Sequence, residues 1–345
     1  MTPARRCFGY EVNHLFAVSA RISGVSPEGA QRQFAQLHGV FTGDMSRYAS
    51  DPMNSPAALP SCAMINVLAS GSRGNCTVLR AHGRVILLDA GLSPRRTAAM
   101  LREVGLSLSR VTDIVFTHLD HDHCHLGWCA GAKGGGAPDA LVHVHRSHRG
   151  RAERMGLIHR RSRLFDDSAR LDESADGSHE RVRISVALAS HDSLGVASFR
   201  VRIEGDDAPA DLGFATDLGH VPGAIVEHLR GVDALAIESN YCPELQLASD
   251  RPEFLKRRIM GGRGHLSNQE CADAVRRIAP RRGAPVVLLH LSEECNTPER
   301  AVAGLAGSPW SVAASSQREP TGWIGVEPLG APEIVSRPVQ ATLWA

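Results

Sequence analysis

The chain has 345 residues, 22% of them charged and 43% hydrophobic, with 38 Lys and Arg against 37 Asp and Glu. That balance excludes disorder throughout, and a formal charge of +1 excludes a strongly basic nucleic-acid footprint while leaving room for a local patch. Eight cysteines with no CxxC pair exclude a disulfide-dense scaffold and a cysteine zinc knuckle. No charged-then-apolar leader stands out, and no apolar run nears the ~20 residues of a membrane span. The expectation is a cytoplasmic protein with reduced thiols and no membrane partner, its oligomeric state left open. Seventeen histidines favour metal chemistry without naming the ligands.

Residues 1–62 read as an N-terminal extension or accessory segment, with a short strand near 12–18, a capped helix after Ser26-Pro27-Glu28 and a proline-bearing linker over 51–60. The core opens with apolar strands at 64–68 and 77–79 around Ser70-Gly71-Ser72-Arg73-Gly74-Asn75-Cys76. This tight loop either braces its surroundings or faces a ligand; lacking the lysine, it is no Walker loop. A third strand, 85–88, ends at Asp89-Ala90-Gly91, where Asp89 either orients a histidine through its second nitrogen or closes a turn. Ser93-Pro94 starts a helix reaching Leu101.

The run 111–116 is a short buried strand, and Thr117-His118-Leu119-Asp120-His121-Asp122-His123 follows it directly. Three imidazoles and two carboxylates this close are costly to desolvate unless paired or coordinated, and such donors suit zinc, with manganese or iron as alternatives. Beyond the glycines at 134–136 the pattern gives a strand over 140–144. A basic helical segment with Arg149, Arg151 and Arg154 comes next, either solvated or in contact with phosphate.

Later strands again deliver polar residues at their ends. The run 182–188 ends at Ser190-His191-Asp192, 212–215 leads to Thr216-Asp217-Leu218-Gly219-His220, 234–237 stops at Glu238-Ser239-Asn240, and 286–289 stops at His290. Helices are expected over 221–229, 252–258 and 269–278, the last capped by Ser267 or Asn268, with closing strands over 310–313 and 323–326. Alternating helices and strands make a layered α/β fold.

The candidate metal ligands are His118, Asp120, Asp122, His123, His191, Asp217 and His290. One partition gives His118, Asp120, His191 and Asp217 to a first cation and Asp122, His123, Asp217 and His290 to a second, with Asp217 bridging. Such a centre activates water and stabilises attacking and leaving oxygens in phosphodiester cleavage. Asp122, Asp217 and His265 are the candidate catalytic residues. His265 follows a glycine-rich turn at a helix start, and either meets an anion, protonates a leaving group or only shapes the loop. His220 is placed as an orienting residue of the Asp217 loop.

At these residues the chain resembles the metallo-beta-lactamase fold superfamily, whose opening signature is His-any-His-any-Asp-His; here Asp120 stands for the middle histidine. The 68–76 loop, Asp89-Ala90-Gly91, Ser190-His191-Asp192, Thr216-Asp217-Leu218-Gly219-His220, Gly264-His265-Leu266-Ser267-Asn268 and His290-Leu291-Ser292-Glu293-Glu294 resemble its YycJ/WalJ branch, over roughly residues 64–300. Where that branch often has Asn-His-Asp, this chain has Asn240-Tyr241-Cys242.

The resemblance implies a four-layer αββα sandwich: a hydrolase domain over 63–330, an insertion around 131–180 and a tail over 331–345. It implies one or two divalent cations, zinc first and manganese second, and a hydrolase with DNA exonuclease activity as the leading association. Nucleic acid or another phosphodiester is the expected substrate partner. The alternatives are a small ester, thioester or lactam hydrolase and a metal-containing nucleic-acid-binding regulatory protein.

Overall fold

In the computed structural model the described residues are 63–129, 139–159, 161–171, 181–189, 194–205 and 208–329. The expectations for 1–62, for 331–345 and for His191 fall outside them.

Alternation along the strands decides the layers. In β3 (Arg84–Leu88), Ile86 and Leu88 point into one buried cluster while Val85 and Leu87 point into another. Successive side chains of a strand face opposite ways, so a strand apolar on both faces must be covered on both. The first sheet runs β14 (Ile324–Val326), β1 (Ala63–Ala69), β2 (Cys76–Ala81), β3, β4 (Asp113–Val115), β5 (Leu141–His145), β6 (Ser162–Phe165). Pairing is antiparallel from β14 to β3 and parallel from β3 to β6.

The second sheet runs β13 (Ser311–Ala314), β12 (Pro285–Leu289), β11 (Ala234–Glu238), β10 (Ala210–Ala215), β9 (Val196–Glu204), β8 (Arg181–Ala189), β7 (Ser168–Arg170). It is parallel from β13 to β10 and antiparallel beyond. Between the sheets, Ile65, Leu79, Ile86 and Leu88 of the first meet Phe199, Val201, Phe214 and Val287 of the second.

Helices cover the outer faces. On the first sheet, α1 (Pro94–Glu103) buries Met100 and Leu101 and α2 (Arg149–Met155) buries Ala152, in one cluster with Leu87, Ile114 and Val144. On the second, α3 (Gly223–Leu229) contributes Ile225 and Leu229 to a cluster with Leu235, Ile237 and Leu288. That cluster also takes Val275 and Ile278 of α6 (Asn268–Ile278) and Ala301 of α7 (Pro298–Ala303). The architecture is the expected αββα sandwich. Ser93 caps α1, accepting from Arg96 N, and Ser267 with Glu270 forms a capping box on α6.

Two short helices not foreseen from the pattern, α4 (Pro243–Ala248) and α7, add to these, and the expected helix over 252–258 is α5 (Glu253–Arg258). Residues within 131–180 supply β5, β6 and β7, which are members of the two sheets. Among the described residues no helix is long and apolar enough to cross a membrane.

Candidate metal centre

The parallel strands β3 and β4 of one sheet and β10, β11 and β12 of the other carry the site at their C-terminal ends. Asp89 and His290 directly follow a strand and Asp217 stands one residue beyond its own; all three take left-handed backbone angles, with φ of 61°, 57° and 53° respectively. A non-glycine residue pays for that conformation, so such turns persist where the surroundings fix them.

Backbone contacts pin the 117–123 loop to its neighbours. Ala90 N donates to His123 O at 2.8 Å, and Asn75 N donates to Asp122 O at 2.7 Å. Gly91 is obligatory there: a Cβ on it would stand 1.7 Å from Asp122 O. The 70–75 loop is a brace. Ser70 Oγ accepts from His290 N at 2.8 Å and donates to Asn75 Oδ1 at 3.0 Å, tying the two sheets together at the site.

Asp122, His123, Asp217 and His290 each bring one ligand atom, all within 4.8 Å of one another. Asp217 is the hub. Its Oδ2 lies 2.7 Å from His123 Nε2 and 3.2 Å from His118 Nε2, and its Oδ1 lies 2.8 Å from His290 Nδ1. Asp122 Oδ2 lies 3.5 Å from His290 Nε2 and 3.7 Å from His123 Nε2. On the far side of His123, Asp89 Oδ2 accepts from Nδ1 at 2.7 Å, and Asp89 Oδ1 accepts from Thr117 N at 2.8 Å. Asp89 therefore fixes the His123 ring with Nε2 turned towards Asp217.

Electrostatics follow the geometry. Burial raises the Asp122 carboxyl, but the His290 hydrogen bond and the His123 charge outweigh it and bring it down to about 2. Burial likewise opposes ionisation of Asp217, and the charges of His123 and His290 hold it well below the usual carboxylate range. Conversely, burial lowers His123 and His290, but the Asp217 charge drives both well above the ordinary imidazole value.

Glu238 was absent from the predicted site, yet it is fully buried within it. Its Oε2 accepts from Leu218 N at 2.6 Å, and its Oε1 lies 2.6 Å from His265 Nδ1 and 3.4 Å from His290 Nδ1. Asp217, Glu238, His265 and His290 form a second group with ligand atoms within 4.8 Å. Burial opposes ionisation of Glu238, and the His265 charge and hydrogen bond hold its carboxyl below the usual range. Its signal in the sequence is the one shared by the other members, a polar residue ending an apolar strand.

Of the remaining candidates, Asp120 sits at the rim, 3.8 Å from His118 Nε2 and in an ion pair with Arg151 at 2.7 Å. His121 is exposed, and His191 lies outside the described residues. His220 is exposed with Nδ1 3.4 Å from Gly262 O, so it touches the His265 loop. The Cys242 thiol donates to Glu244 at 2.7 Å, away from the cluster.

A model of the beta-lactamase superfamily domain matches residues 84–290, the stretch that holds every residue of this cluster. The chain belongs to the beta-lactamase superfamily. It is a metal-dependent hydrolase of the metallo-beta-lactamase fold. Similar relatives include exodeoxyribonuclease WalJ of Streptococcus pneumoniae, 28% identical over 236 residues, covering 68% of this chain and 84% of that protein. Exodeoxyribonuclease YycJ of Bacillus anthracis is 26% identical over 238 residues, covering 68% and 85%. Among solved structures, the metallo-beta-lactamase fold protein YhfI of Bacillus subtilis superposes with a TM-score of 0.53 at 13% identity, over 75% of this chain and 98% of that one.

Proposed function

We propose that this superfamily member is a phosphodiesterase that trims DNA from a strand end. The observation that carries the proposal is the convergence of Asp122, His123, Asp217 and His290 from two sheets into one buried donor set. The set fits a divalent cation. Two imidazoles and two carboxylates meet within 4.8 Å, and Asp89 holds the His123 ring from behind. Such nitrogen and oxygen donors suit zinc, with manganese as the alternative. A cation held by these four residues supplies Lewis-acid activation of water and neutralisation of phosphate charge. The relatives named as exodeoxyribonucleases support DNA as the substrate.

The other residues of the site prepare the substrate side. Asp217 orders His118, His123 and His290 around one carboxylate. Glu238 accepts from His265 Nδ1 and so orients the ring; in its imidazolium form His265 carries its second proton on Nε2, from which it passes to the leaving oxygen. The His265 side chain is 23% exposed, enough to meet a strand end from solvent. No serine or cysteine nucleophile is needed.

The test is cleavage of end-labelled single-stranded and duplex DNA with added zinc or manganese. Asp217→Asn keeps side-chain shape and tolerance of the left-handed backbone, so it is expected to stay folded by circular dichroism and to lose cleavage by at least about a hundredfold. Full activity of Asp217→Asn, or of protein stripped of metal, overturns the proposal.

A further inference from the structure

The opening pattern carries Asp120 where the superfamily signature has its middle imidazole. Asp120 Oδ1 accepts from Arg151 Nη1 at 2.7 Å, while its Oδ2 lies 3.8 Å from His118 Nε2. His118 Nε2 is in turn 3.2 Å from Asp217 Oδ2, so two residues, Asp120 and His118, stand between the guanidinium and the hub of the centre.

Arg151 is firmly placed. It lies on α2, whose next residue, Ala152, is buried with Leu157 in the outer cluster of the first sheet. The Arg151 and Asp120 side chains are 32% and 34% exposed, so the pair forms part of the wall between the buried cluster and solvent.

The charge inventory gives the guanidinium a task. Asp89, Asp120, Asp122, Asp217 and Glu238 put five carboxylates around the site, and an anionic phosphodiester must approach them. Guanidinium is always charged, and its planar fork of N–H donors has a geometry matched to phosphate.

We propose that Arg151 is a phosphate-binding residue of this site. Asp120 anchors its guanidinium beside His118, in position for a non-bridging oxygen of the scissile phosphate. This assignment rests on the phosphodiesterase reading and deepens it. Asp120 is then a positioning carboxylate for Arg151, and the departure from the signature exchanges an imidazole for a fixed positive charge one residue further out.

The experiment titrates the full-length, metal-loaded protein with a fluorescent single-stranded oligodeoxynucleotide at several salt concentrations. Metal content by plasma mass spectrometry, melting temperature and DNA cleavage are read on the same samples. Arg151→Gln is expected to bind about ten- to hundredfold more weakly, the scale of one charge-assisted hydrogen bond. Its log–log salt slope is expected to be shallower by about 0.7. Arg151→Lys, which keeps the charge and loses the fork, is expected to recover part of the affinity. Asp120→Asn is expected to weaken binding in the same direction, and all three variants to keep the wild-type metal-to-protein ratio.

Wild-type affinity and slope in Arg151→Gln overturn the assignment, as does loss of a metal equivalent in Asp120→Asn, which would make Asp120 a ligand. Wild-type protein that binds but never cleaves, with Arg151→Gln still impaired, removes the phosphodiesterase reading and keeps the Arg151 assignment. Wild-type cleavage with unimpaired Arg151→Gln binding does the reverse. Absence of both binding and cleavage in wild type removes both.

Discussion

Asp89, Asp217 and His290 share a backbone conformation that costs an L-residue about 1 kcal/mol or more, and all three stand at the ends of core strands. Asp and His tolerate the left-handed region better than β-branched residues, so these turns suit the side chains that chemistry requires. Asp89 works from behind: its carboxylate hydrogen-bonds Thr117 and His123, and so sets the direction of His123 Nε2. Asp89→Asn, nearly isosteric, is expected to lower zinc affinity about ten- to hundredfold, as judged by competition with a chromogenic chelator. Unchanged affinity would remove Asp89 from that role. At this scale the sequence is legible wherever a polar residue follows an apolar run, which singles out Asp122, His123, Asp217 and His290. Glu238 obeys the same rule and is lost because one carboxylate before Ser239-Asn240 looks like an ordinary turn. Arg151 is obscured by the other arginines of its helix.

Elements are legible in proportion to their apolar content. β3, β10, β11 and β12 are almost wholly buried and stand out as apolar runs. β6 and β7 escape notice because they have four and three residues, several of them solvent-facing. The run 111–116 reads as a six-residue strand, but only Asp113–Val115 pair; Val111 and Phe116 still pack into the outer cluster, which is why their hydrophobicity suggests a longer strand. A close approach such as that of Gly91 to the Asp122 carbonyl joins residues 31 positions apart and leaves no trace in periodicity. Gly91→Ala must push the Asp122 loop aside. Overpacking of this kind is expected to cost about 1–3 kcal/mol in urea unfolding and to weaken metal binding at the same time. A variant with wild-type stability and metal content would show that the loop yields more easily than its hydrogen bonds imply.

At the largest scale, the described residues form two sheets packed face to face with helices outside, and these layers follow from strand alternation, which makes them readable in advance. Sheet order and the docking of the two halves depend on contacts between distant residues and are not. The donors are drawn from both halves: Asp122 and His123 follow a strand of the first sheet, Asp217 and His290 follow strands of the second. The four donors lie within 4.8 Å of one another, a set that a bound cation would hold together in the native state. Chelation is therefore expected to lower the melting temperature. Readdition of zinc or manganese at a hundredfold excess over the dissociation constant should restore about 2.7 kcal/mol. Identical melting curves with and without chelator would show that no metal is held in the native state.

The Ser70 hydroxyl, receiving the amide of a residue 220 positions later, gives this centre a timetable. A chain emerging from the ribosome has no complete cage until His290 has been synthesised and has met the loop made near the start of the domain. Cation capture is thus a late event in biogenesis. Nascent fragments lack the means to load metal before the two halves have closed on each other.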